Sequence, residues 1–145
     1  MAQALELASL AATQDEVPIG ALLIHKGIVL GSGRNRREET HRTVAHAEIL
    51  ALEEYNFHYK TWRLPPGTSL VVTTEPCLMC TGALLWARAD NLYYGCSDPR
   101  HAGLLTQLAL IQAGTFDHKF EEIRGGILEE ECRAIMKEFF RQKRK

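Results

Sequence analysis

Pro76-Cys77-Leu78-Met79-Cys80 constrains this chain more than any other stretch. Two thiols at this spacing can share one soft metal ion, and on a helix they lie on one face. Alone, the spacing fits a metal site, a redox dithiol or coincidence. Upstream, His46-Ala47-Glu48 offers an imidazole ligand and, two residues on, a carboxylate. The fold must therefore bring together two segments that residues 49–75 hold apart in sequence.

His46, Cys77 and Cys80 make three good zinc ligands, whereas a structural zinc takes four. Cys96 and Cys132 stand alone, and His41 is weakly placed. Three ligands leave a position for water, the arrangement of a catalytic zinc. Glu48 points away from His46 on a regular helix, yet at a first turn both can flank a water off the helix end. Glu48 then serves as a proton shuttle and not as a ligand. Both motifs are expected at helix N-termini, where free N–H groups favour thiolate and hydroxide. Two thiolates neutralise much of the zinc charge, so a base beside the water must carry part of the task. That base can return the proton to a ring nitrogen, which is what hydrolytic deamination requires. His-x-Glu followed by Pro-Cys-x-x-Cys is the signature of zinc deaminases.

A chain of 145 residues fits one domain, here 1–145, with a sizeable core. No stretch is apolar enough for a membrane span. Met1 to Leu10 contains Glu6 and no basic region, unlike a signal peptide. Four cysteines without a secretion signal point to reduced thiols and a cytoplasmic location. The net charge of −1 excludes nucleic-acid binding by bulk charge, so any such binding needs local patches.

Ala2 to Ala12 is expected to be helical, with Leu5, Ala8 and Ala12 on one face. Pro18 excludes its continuation. Ile19–Ile24 and Ile28–Leu30 read as a hairpin turning at Gly27, followed by polar loop over Glu38–Arg42. A helix is expected from Ala45 to Glu54 with Thr43 near its cap, then a loop over Phe57–Gly67. Ser69–Thr73 reads as a buried strand, Cys77–Arg88 as a helix with Met79, Ala83 and Trp86 in register, and Asn91–Tyr94 as a strand. Leu104–Gln112 follows as a helix with Gly114 as its stop, then Phe120–Arg124 as a last strand. The final helix carries a stripe of Leu128, Cys132, Ile135, Met136, Phe139 and Phe140 and ends in a basic tail. The order implies one α/β domain, a mixed sheet covered by helices.

Taken together, Glu16-Val17-Pro18-Ile19-Gly20-Ala21, Asn35-Arg36, Ala45-His46-Ala47-Glu48, Thr74–Cys80 and Gly125-Gly126-Ile127-Leu128 give a marked resemblance. The chain resembles the cytidine/purine deaminase superfamily, most closely the bacterial tRNA adenosine deaminases that make inosine at the wobble position. The resemblance spans Asp15 to Arg144. It implies a three-layer α/β/α fold with a five-stranded mixed sheet, one zinc per subunit, and a homodimer with sites touched by both subunits. Carried over by position, His46, Cys77 and Cys80 hold zinc and Glu48 is the acid/base. Asn35 contacts the flipped base, with Val17 and Ala47 lining its pocket. Asp98 meets the neighbouring nucleotide, and Phe139, Phe140 and Arg141 meet the anticodon loop. The chain departs from the family at His101-Ala102-Gly103-Leu104-Leu105, which is bulkier than the usual run of small residues.

By residue type alone, Arg34, Arg36, Arg37 and Arg42 fit a phosphate-facing patch or a solvated loop equally. His25, His58 and His118 read as surface residues, and Cys96 and Cys132 as buried small hydrophobes. Three functions compete: a tRNA adenosine deaminase, a deaminase of a free base such as guanine, and a zinc-stabilised binding module. The last needs a fourth protein ligand and gives Glu48 no role.

Overall fold

The computed structural model describes residues 1–100, 108 and 117–144. Its elements run α1 (Ala2–Thr13), β1 (Gly20–His25), β2 (Ile28–Arg34), α2 (Arg37–Thr40), α3 (Ala47–Tyr59), β3 (Ser69–Thr74), α4 (Leu78–Ala87), β4 (Asn91–Cys96), β5 (Glu122–Arg124) and α5 (Glu129–Lys143). One five-stranded sheet has the order β2-β1-β3-β4-β5. β1 lies antiparallel to β2 and β3, whereas β3, β4 and β5 are parallel. The mixed sheet between helices is the expected three-layer arrangement.

Strand alternation sorts the two layers. Ala21 and Leu23 of β1, with Leu70, Val72 and Leu92, join a core completed by α3 and α4. α1 packs on β1 and β3 and also meets α5, which lies on β4. Two glycines set the closest approaches: a Cβ on Gly20 would strike the Ala4 carbonyl of α1, and one on Gly33 would strike the Ala47 carbonyl of α3. Lys143 closes the second layer with an ion pair to Asp15, 2.5 Å away.

Several elements differ from the sequence expectation for identifiable reasons. The buried face of α1 is Ala4, Ala8 and Ala11; these small residues permit the close seat on Gly20. Arg37–Thr40 is a short helix where loop was expected. α3 starts at Ala47, capped by the backbone of His46 and not by Thr43, and runs on through Phe57 to Tyr59 before Lys60 turns left-handed. α4 buries Cys80, Thr81, Leu84 and Leu85, which leaves Trp86 outward at 68% exposure. β4 continues to Cys96, and β5 begins only at Glu122. His118 is half-buried and hydrogen-bonds the Ala89 carbonyl oxygen. Cys96 and Cys132 are buried, as expected. The Leu104–Gln112 helix and the His101–Leu105 segment lie outside the described residues, apart from Leu108 in the core.

Candidate metal centre and active site

Parallel strands with helical crossovers place helix N-termini at the carboxyl end of the sheet, and both motifs sit there. His46 is the N-cap of α3 and Glu48 lies in its first turn. Cys77 is the N-cap of α4 and Cys80 follows in its first turn. Gly33 seats α3 flat on β2, which sets the height of His46 and Glu48 above the sheet.

His46 Nδ1 stands 3.6 Å from the sulfur of Cys77 and 3.6 Å from that of Cys80. All three donor atoms lie within 4.8 Å of one another. Tetrahedral zinc with ordinary Zn–S and Zn–N bonds holds such atoms about 3.6 Å apart. The residues therefore fit a zinc ion, with soft thiolates and one imidazole as the donor set. Among the described residues this is the one group of three or more with ligand geometry. Neither Cys96 nor Cys132 joins it, so among the described residues no fourth protein ligand closes the site.

The electrostatics match that use. The hydrogen bond with Cys80, then that with His46, holds the Cys77 thiol down to about 4. Cys80 moves the opposite way, raised by its hydrogen bond to Cys77 and by burial. His46 is raised by its hydrogen bond to Cys77. Glu48 is only 4% exposed. Burial first, and the Cys77 charge second among the raising causes, push its carboxyl up to about 7. A carboxyl poised near neutrality can both take and give a proton.

These groups line a cavity of about 190 Å³. Val17, Ile19, Asn35, Arg37, Thr74 and Glu75 line it together with His46, Cys77 and Glu48. Asp98 and Arg100 complete the rim, with Arg100 clamped on Asp98 at 2.7 and 2.9 Å. The structure thus brings together His46, Cys77, Glu48, Asn35, Val17 and Asp98 around one cavity, with Cys80 behind Cys77. Ala47 does not line it: the residue is fully buried, packed against β2 at Gly33. Phe139, Phe140 and Arg141 do not line it either. Phe139 is buried under α5, and Arg141 is exposed and paired with Glu138. Phe140 lines a separate groove with Arg133, Lys137 and Arg144, which shares Asp98 and Arg100 with the cavity.

Sequence reasoning missed Ile19, Arg37, Thr74, Glu75 and Arg100 as cavity residues. Thr74 and Glu75 directly precede Pro76 at the exit of β3, a position that could have flagged them. Of the loop arginines, Arg34 and Arg36 pair with Glu39 and Arg42 with Glu53, so only Arg37 reaches the cavity.

The MafB19-like deaminase profile matches residues 1–144. The chain belongs to the MafB19-like deaminases. Within this group, part of the cytidine/purine deaminase superfamily, it is 40% identical over 145 residues to the tRNA-specific adenosine deaminase of Bacillus subtilis. That match covers 100% of this chain and 89% of the relative. A solved structure from work on A-to-I editing by tRNA:A34 deaminases superposes with a TM-score of 0.83 at 37% identity, covering 91% of this chain and 94% of the other. The guanine deaminase of Nitrosomonas europaea shares the fold, with a TM-score of 0.75 at 23% identity over 95% and 81% of the two chains. In this deaminase the His46–Glu48 and Cys77–Cys80 helix ends meet at the candidate metal site.

Proposed function

We propose that this deaminase hydrolyses adenosine to inosine at the wobble position of tRNA. The observation that carries the reading is full-length similarity to a tRNA-specific adenosine deaminase, joined to an open three-ligand site with Glu48 beside it. His46, Cys77 and Cys80 would hold a zinc ion, which when bound would make a water acidic near neutral pH. Glu48 accepts a proton from the attacking water and delivers it to the purine ring nitrogen as the water oxygen bonds to C6; it then carries the C6 hydroxyl proton to the exocyclic amine, whose C–N bond breaks to release ammonia and leave inosine. Burial from bulk water keeps that proton on the path between water and base. Asn35 hydrogen-bonds the flipped base, Val17 and Ile19 pack against its face, and Asp98 at the rim meets the adjoining nucleotide.

An adenine inside an RNA helix cannot reach a cavity of this depth, so the base must be extruded or come from a loop. The groove of Arg133, Lys137, Phe140 and Arg144 supplies local positive charge and an aromatic face despite the net charge of −1. The exposed Trp62 and Trp86, which line one groove with Ile49 of α3 and Ala83 of α4, support a homodimer. The whole chain acts as one domain. No described helix is long and apolar enough to cross a membrane, and four free cysteines suit a cytoplasmic setting.

The test is ammonia release from an anticodon stem-loop with adenosine at the wobble position, run beside free adenine, guanine and cytosine. Turnover of the stem-loop with none of the free bases is expected. Turnover of guanine with none of the RNA would overturn the reading in favour of a free-base deaminase.

A further inference from the structure

Glu16 is fully buried in the turn between α1 and β1, yet no step above uses it. Its Oε2 accepts a hydrogen bond from Asn35 Nδ2 at 3.0 Å, and its Oε1 accepts one from the Glu39 backbone N–H at 2.7 Å. The main chain of Asn35 is fixed as well, its N–H donating to the Ile19 carbonyl oxygen at 3.0 Å. Asn35 is itself 4% exposed and lines the cavity.

An amide side chain can turn either its oxygen or its nitrogen to a neighbour, whereas an ionised carboxylate only accepts. Opposite Glu16, Asn35 has one tolerable orientation, nitrogen toward the carboxylate. The reverse flip would set oxygen against oxygen in a buried place, where an unmade hydrogen bond is costly. Oδ1 and the second N–H of Asn35 are then left for whatever enters the cavity. A glutamine at position 16 would lose this property, because it could meet either face of the Asn35 amide. The second oxygen of Glu16 is not idle: it anchors α2, whose Glu39 in turn holds Arg34 and Arg36.

We propose that Glu16 is a positioning residue that fixes the edge Asn35 shows to the base, and so a determinant of base recognition in this cavity. The proposal rests on the reading of Asn35 as the base contact. Glu16 touches neither base nor metal ligands; its influence on the base passes through Asn35.

A double-mutant cycle of E16Q and N35A, read on the wobble-adenosine stem-loop with the zinc-loaded protein, tests it. E16Q should lower kcat/KM roughly 10- to 100-fold, the loss of one charge-assisted hydrogen bond, mainly through KM. Zinc per chain should stay at the wild-type level. The decisive result is non-additivity: E16Q/N35A should be no worse than N35A. Losses that multiply, or an E16Q indistinguishable from wild type, would overturn the proposal. An N35A with wild-type kinetics would instead sink the reading of Asn35, and the proposal with it. If wild type turns over guanine and not the stem-loop, the substrate reading fails and the same cycle on guanine decides the role of Glu16. Should E16Q not fold, N35D probes the contact from the other side by facing two carboxylates. N35D must then fall below N35A, and equality would refute the proposal.

Discussion

Replacing Gly33 with alanine adds one methyl group where β2 carries α3, and the effect can be worked from the packing. The new Cβ would strike the Ala47 carbonyl oxygen and lie 2.7 Å from the Ala51 nitrogen, both backbone atoms of α3. Ordinary contact with that nitrogen alone needs α3 to lift by about 0.7 Å, and clearing the closer carbonyl oxygen needs on the order of 1 Å. Overpacking of this kind costs about 1–3 kcal/mol, or a fall in Tm of roughly 3–10 °C for a domain of this size. The lifted helix begins with His46 and Glu48. Catalytic groups tolerate about 0.5 Å of displacement, so kcat/KM should fall by up to about 100-fold. Gly82 of α4 is the control, because a Cβ there meets nothing within 4 Å. G82A should raise stability by about 0.5–1 kcal/mol through helix propensity. Thermal melts and stem-loop turnover of the two variants provide the assay. A G33A protein with wild-type Tm and turnover would refute the claim that Gly33 sets the height of the site.

Two further outcomes are expected. Reversing charge at Lys137 and Arg144 together should weaken stem-loop binding at least tenfold and flatten its salt dependence; titrations at several salt concentrations check both. Introducing Glu at Trp86, a residue 68% exposed on the apolar face of α4, should shift the protein toward monomer in sedimentation equilibrium while the isolated chain keeps its Tm.

The metal ligands and Glu48 were legible in sequence because the chemistry dictates both residue types and spacing, and helix N-termini are where those spacings work. Asn35 and Val17 became legible only through family resemblance. Glu16 was not legible as a functional group, since its partners Asn35 and Glu39 lie in other segments and a lone carboxylate near a turn carries no pattern. α2 escaped because a four-residue helix has no apolar period to read. Trp86 recurs with Met79 and Ala83 at helical spacing yet faces outward, because periodicity does not say which of two apolar faces meets the core. Small residues misled most: Ala47 was expected at the base and instead serves the seat of α3 on β2. In α1, the alanines Ala4, Ala8 and Ala11, more than the larger Leu5, mark the packed face.

The central claim is that three residues hold the metal while Glu48 moves the proton, and E48Q separates the two most directly. Glutamine keeps the shape of the buried side chain and removes its titration. Zinc content per chain and inosine formation on the stem-loop are measured on the same preparation. Wild-type zinc is expected, with turnover reduced by about 100-fold or more. Wild-type zinc with unchanged inosine formation would contradict the claim.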